Sequence, residues 1–143
     1  MYQRILVLLD GSRSAERGLG WARQLARGPD GSLHLLMIEH PGRVIRDGSR
    51  VIAFADQVED AARASATAYL EGVATRLRED GLSVATHVRI GNTIPVIRTV
   101  IEEAMAHLVV FTPSGATGLA RDFLRRSVPV PVLVAGSRCQ RSA

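Results

Sequence analysis

The chain has 143 residues, 46% of them hydrophobic, and a formal charge of +4 from 18 basic residues against 14 acidic ones. All 18 basic residues are arginine. Without lysine there is no Schiff-base chemistry of the pyridoxal phosphate kind, no Walker A loop of the common P-loop NTPases, and no lysine beside an acidic pocket as in receiver domains.

The length fits one domain with its own core, and no apolar run approaches bilayer-spanning length. The single Cys139 has no internal disulfide partner, and the strand-like N-terminus carries neither a charged leader nor a cleavage site, so a cytoplasmic location is expected. The arginine excess reads as a solvated surface, and nucleic acid is not an expected partner.

Arg4-Ile5-Leu6-Val7-Leu8-Leu9 is a continuous apolar run of strand length, the pattern of a strand buried on both faces. It ends at Asp10-Gly11-Ser12. Ser12 or Ser14 then caps a helix whose inward face is Ala15, Leu19, Ala22, Leu25 and Ala26. Gly28-Pro29-Asp30-Gly31 is a firm break, and residues 33–38 read as a second buried strand. Residues 39–50 form a polar, Gly-containing loop, a candidate flap.

Residues 54–78 are the longest periodic segment. Its inward stripe is read as Val58, Ala62, Ser65, Tyr69, Val73 and Leu77, with Glu59, Arg63 and Arg76 facing away. Gly81 ends it, and residues 82–89 alternate as a strand does. Gly91-Asn92-Thr93 opens the next helix, with Pro95 in its first turn and Val96, Ile97, Val100, Ile101 and Ala104 inward.

Leu108-Val109-Val110-Phe111 is a fourth strand. It opens into Thr112-Pro113-Ser114-Gly115-Ala116-Thr117-Gly118, whose small and hydroxyl-bearing residues let backbone N–H groups approach a phosphate. A short helix over 119–126 and a last strand from Val130 to Ala135 follow, and residues 137–143 are a polar tail beyond a domain of residues 1–136.

Strands and helices alternate throughout. That pattern predicts an α/β fold: a doubly wound, five-stranded parallel sheet with helices on both faces. Ligands of such sheets sit at the C-terminal ends of the strands, where the order reverses. Asp10-Gly11-Ser12 and the loop from Thr112 to Gly118 border one crevice if the first and fourth strands are neighbours.

The opening Arg4-Ile5-Leu6-Val7-Leu8-Leu9-Asp10-Gly11-Ser12 resembles that of a universal stress protein. So do Leu33-His34-Leu35-Leu36-Met37-Ile38, Gly91-Asn92 before the third helix, and the ending Pro129-Val130-Pro131-Val132-Leu133-Val134. The resemblance implies a Rossmann-like sheet of strand order 3-2-1-4-5, a cytoplasmic homodimer and, in one branch of the family, bound ATP or AMP. It implies that Asp10 contacts the ribose and that Ile38 lends backbone groups to adenine.

The nucleotide-binding branch has a Gly, two residues, a second Gly, nine residues, then Gly and Ser or Thr. Here those positions fall on Thr112, Gly115, Arg125 and Arg126, so only the second matches. The span from Gly115 to Pro131 is also about seven residues short, roughly two helical turns. Gly115-Ala116-Thr117-Gly118 offers a shifted Gly-x-x-Gly, with Thr117 as a hydroxyl donor and Arg125 and Arg126 as phosphate neutralisers.

The expectation is a non-enzymatic stress-response module that binds adenine nucleotide weakly or not at all, with an ATP- or AMP-binding switch as the alternative. No nucleophile is paired with a base in the sequence. His34 reads as a core or strand-surface residue, and no Cys/His/Asp spacing points to a metal. The last strand is apolar on both faces and uncharged, so it is expected to pair with its own copy across a two-fold axis.

Overall fold

The first apolar run becomes β1 (Arg4–Leu8), the central strand of an all-parallel sheet ordered β3-β2-β1-β4-β5. The other strands are β2 (Ser32–Glu39), β3 (Ser83–Ile90), β4 (Leu108–Phe111) and β5 (Val132–Val134). Three helices connect them: α1 (Arg13–Leu25), α2 (Ala55–Glu79) and α3 (Thr93–Ala104). The computed structural model describes residues 3–26, 30–39, 55–112 and 128–135. The expected fourth helix, over 119–126, lies outside these described residues.

Register explains why β1 is apolar throughout. Ile5 pairs with both Leu33 and Leu108, and Val7 with both Leu35 and Val110, so β1 has a neighbour on each edge and a helix layer on each face. Ile5, Val7 and Leu9 point to the face covered by α1 and α2, with Leu33, Leu35, Leu108 and Val110. Leu6 and Leu8 point to the other face, with Leu36, Val109, Phe111 and the α3 residues Ile94, Ile97, Val100 and Ile101. Fully burying a Leu, Ile or Val side chain contributes about 1.5–3 kcal/mol. These two strips are therefore the main source of stability.

The inward face of α1 matches its sequence pattern: Ala15, Leu19, Ala22 and Ala26 are buried and Leu25 packs at the edge. The stripe of α2 differs from expectation. Ala66, Leu70, Val73, Ala74 and Leu77 are buried, whereas Ser65 is exposed and Ala62 and Tyr69 are half-buried. A row advancing mostly by four residues drifts around a helix of 3.6 residues per turn, so the contact line runs one residue to the side. Val58 falls where side chains are not described. In α3, Ile94 is buried and Val96 only half-buried, because the core takes the Ile94, Ile97 and Ile101 side of the first turn.

β5 is shorter than the run from Val130 to Ala135. Pro129 and Pro131 have no N–H to give, although the Pro131 carbonyl still accepts from Val109 at 3.0 Å and the Ala135 N–H donates to Phe111 at 2.8 Å. At the far edge, Gly91 carries the β3 ladder one step on, its N–H donating to the Glu39 carbonyl at 3.0 Å. Its φ of +152° and a position where a Cβ would stand 2.9 Å from Val96 make glycine necessary there.

Candidate functional site

β1 and β4 are direct neighbours, so Asp10 and Thr112 follow the C-terminal ends of adjacent parallel strands, as the expected crevice requires. Leu9 extends the β1–β2 ladder, its N–H donating to Leu36 at 2.9 Å, and the chain then turns sharply through Gly11 at φ +87°. A Cβ on Gly11 would lie 3.8 Å from the Met37 methyl, so β2 supplies Met37 to the rim of the same loop.

Asp10 is exposed, and its carboxylate organises the turn. One oxygen accepts both the Ser12 backbone N–H at 2.9 Å and the Ser12 hydroxyl at 2.5 Å. The Ser12 hydroxyl in turn accepts the Ala15 N–H at 3.1 Å, which makes Ser12 rather than Ser14 the cap of α1. The carboxylate thus stands at the positive end of a 13-residue helix. Helix capping and ribose recognition compete for the same group.

Thr112 is 5% exposed, and its hydroxyl has no hydrogen-bond partner among the described residues. It lies against α1, 3.2 Å from where a Cβ on Gly18 would stand, beside Val110. The side chain therefore packs into the α1 layer. Ile38 is half-buried on the α3 face and packs against the Leu6–Leu36 cluster. Gly115, Thr117, Gly118, Arg125 and Arg126 lie outside the described residues.

Met37 and Gly18 join the site neighbourhood without having been singled out in the sequence. Strand alternation places Met37 opposite Ile38 in facing, which was a readable signal. The closeness of Gly18 to Thr112 depends on how α1 crosses β4 and leaves no local trace.

Elsewhere, a groove between the end of β3 and α3 is lined by Arg89, Ile90, Pro95, Val96, Thr99 and Val100, none of them an expected site residue. α1 and α2 are tied by the Tyr69 hydroxyl, which donates to Glu16; burial and that carboxylate push the phenol well above its usual range. Among the described residues no set of three or more His, Cys, Asp or Glu side chains is placed to hold a metal ion, and no helix is long and apolar enough to cross a membrane.

Comparison with known proteins adds the family context. The model of the universal stress protein family matches residues 1–136. No curated protein sequence matches the chain. Among solved structures, the hypothetical protein MJ0577 superposes with a TM-score of 0.81 at 18% identity, over 100% of this chain and 99% of that one. A universal stress protein family member from Burkholderia pseudomallei gives 0.74 at 24% identity, over 94% and 96% of the two chains. The Arabidopsis thaliana family protein At3g01520, solved with AMP bound, gives 0.66 at 16% identity, over 96% and 93%. At these identities the structural matches speak for the fold.

Proposed function

This chain belongs to the universal stress protein family, and we propose that it is a non-enzymatic, cytoplasmic, homodimeric stress-response module that binds adenine nucleotide weakly or not at all. The observation that carries this reading is how the two described crevice groups are placed. One Asp10 oxygen is held by Ser12, and the Thr112 hydroxyl is buried against Gly18. A ribose diol would have to compete with the Ser12 turn, and the first loop position keeps its hydroxyl buried against α1. The loop sequence points the same way. Arg125 and Arg126 put bulk where backbone N–H groups would have to approach a phosphate.

The AMP held by the Arabidopsis relative favours a second reading, an ATP- or AMP-dependent switch. In it Gly115, Thr117 and Gly118 lend groups to the phosphates, Arg125 and Arg126 neutralise them, Asp10 meets the ribose and Ile38 the adenine. Acid extraction of freshly purified protein followed by nucleotide chromatography separates the two. The leading reading expects no stoichiometric nucleotide; a full complement of ATP or AMP would replace it with the switch.

A further inference from the structure

His34 and His87 are 53 residues apart in sequence and meet on the sheet. The β2–β3 register sets His34 opposite Ala85 and Leu36 opposite His87, which makes the two imidazoles diagonal neighbours. Both lie on the α3 side: His34 alternates with Leu33 and Leu35, which face α1 and α2, and His87 alternates likewise with Val88. The crossover from β3 to β4 carries α3 over the middle of the sheet, and the residues from Ala85 to Ile90 remain only half-buried. Solvent reaches this flank.

The rings lie side by side, with centroids 5.3 Å apart and planes 26° from parallel, and His34 Nδ1 is 3.1 Å from His87 Nε2. Between neutral imidazoles that distance is one N–H···N hydrogen bond. It is also the separation of two imidazole nitrogens sharing one metal ion. The centroids and the two nitrogens lie nearly in line, so the rings now face each other head-on; with metal–nitrogen bonds of about 2.0–2.1 Å, one ion spans the same separation at an N–metal–N angle of about 95–100° once each half-buried ring turns by about 40°.

We infer that His34 and His87 form a two-histidine site for a divalent transition metal of the Cu²⁺ or Zn²⁺ class, with water completing the coordination. On binding, two metal–water bonds are replaced by two metal–nitrogen bonds. The proton shared between the rings moves through solvent to the far nitrogen of its own ring, so the net protonation of the neutral pair is unchanged.

The surroundings suit this. Burial holds both imidazoles below their usual titration range, helped by Arg4 at His34 and by His34 and Arg89 at His87, while Glu103 opposes at His87. They therefore stand in the neutral form that a metal requires. The two guanidinium groups are occupied: Arg4 donates to the Met105 carbonyl at 2.8 Å and sits 3.3 Å from His107 Nε2, and Arg89 pairs with Glu103 at 2.8 Å. Their charge and the small number of protein ligands keep the site a weak one. Cu²⁺ binds more tightly than Zn²⁺, following the general order for nitrogen sites.

The test is titration of metal-stripped, tag-free protein with Cu²⁺ and with Zn²⁺ at neutral pH, on the wild type, His34→Gln, His87→Gln and the control His107→Gln. One saturable ion per chain is expected, weakened at least tenfold in either of the first two variants and little changed in the third. Because a variant can perturb β2–β3 pairing, imidazole NMR on the wild type gives an independent reading: Zn²⁺ should move the His34 and His87 nitrogen signals first. Absence of saturable binding, wild-type affinity retained in His34→Gln or His87→Gln, or first shifts at other histidines would each overturn the proposal.

Discussion

At the residue scale, Thr112 carries a buried hydroxyl without a partner among the described residues, and an orphaned buried polar group costs about 1–3 kcal/mol. Thr112→Val keeps the shape and removes the hydroxyl. It should raise stability by about 0.5–2 kcal/mol in urea melts; a loss of stability would show that the hydroxyl is bonded in solution.

The histidine pair gives a pH dependence whose sign is fixed by its environment. Both folded-state pKa values are lowered, chiefly by burial, so the native state binds fewer protons than the unfolded chain below about pH 6.5. Stability from the pair is fully present above that pH and is lost as the pH falls through the folded values. The urea midpoint of the wild type should therefore fall more steeply on acidification than that of the double variant His34→Gln/His87→Gln; parallel curves would contradict it.

None of this pairing was readable in the sequence. Two histidines on different strands become neighbours only through register, which local spacing does not encode. The Asp10-Gly11-Ser12 turn, by contrast, was legible, because a carboxylate, a glycine and a hydroxyl at a strand-to-helix junction have few other uses.

At the scale of elements, helices with clean periodicity were legible and the long helix was not fully so. The α1 face follows from the spacing of Ala15, Leu19, Ala22 and Ala26. In α2 abundant alanines give several near-equivalent stripes, and only packing against β2 and β3 selects the Ala66–Leu70–Val73–Leu77 side.

Glycines within these elements give opposite predictions. Gly20 lies exposed within α1, with nothing within 4 Å of an added Cβ, so Gly20→Ala should stabilise by about 0.5–1 kcal/mol. Gly91→Ala should destabilise by about 1–3 kcal/mol, since its backbone conformation and Val96 both oppose a side chain. Thermal melts of the two variants check the pair together, and a gain at Gly91 would contradict the described entry into α3.

At the scale of the whole molecule, the parallel sheet was legible from strict alternation, and its order β3-β2-β1-β4-β5 from the family resemblance alone. The extent of the last strand was not, because prolines and valines give conflicting signals there. β5 closes one edge of the sheet, and Val134 on it is 48% exposed. An apolar edge of that kind tends to pair, and a second copy across a two-fold axis satisfies it with the same residues on both sides. Size-exclusion chromatography with light scattering should report a dimer for the wild type and a monomer for Val134→Arg. A wild-type monomer, or a dimer unaffected by the arginine, would remove β5 as the interface.

The central claim concerns the crevice between the ends of β1 and β4. It is tested most directly by isothermal titration of nucleotide-stripped protein with ATP and Mg²⁺, with AMP alongside. The account predicts no saturable heat, or a dissociation constant of about 1 mM or weaker, equivalent to about −4 kcal/mol or less favourable. Binding at about 1 µM or tighter, near −8 kcal/mol, would contradict it and show that the shortened loop still holds phosphates.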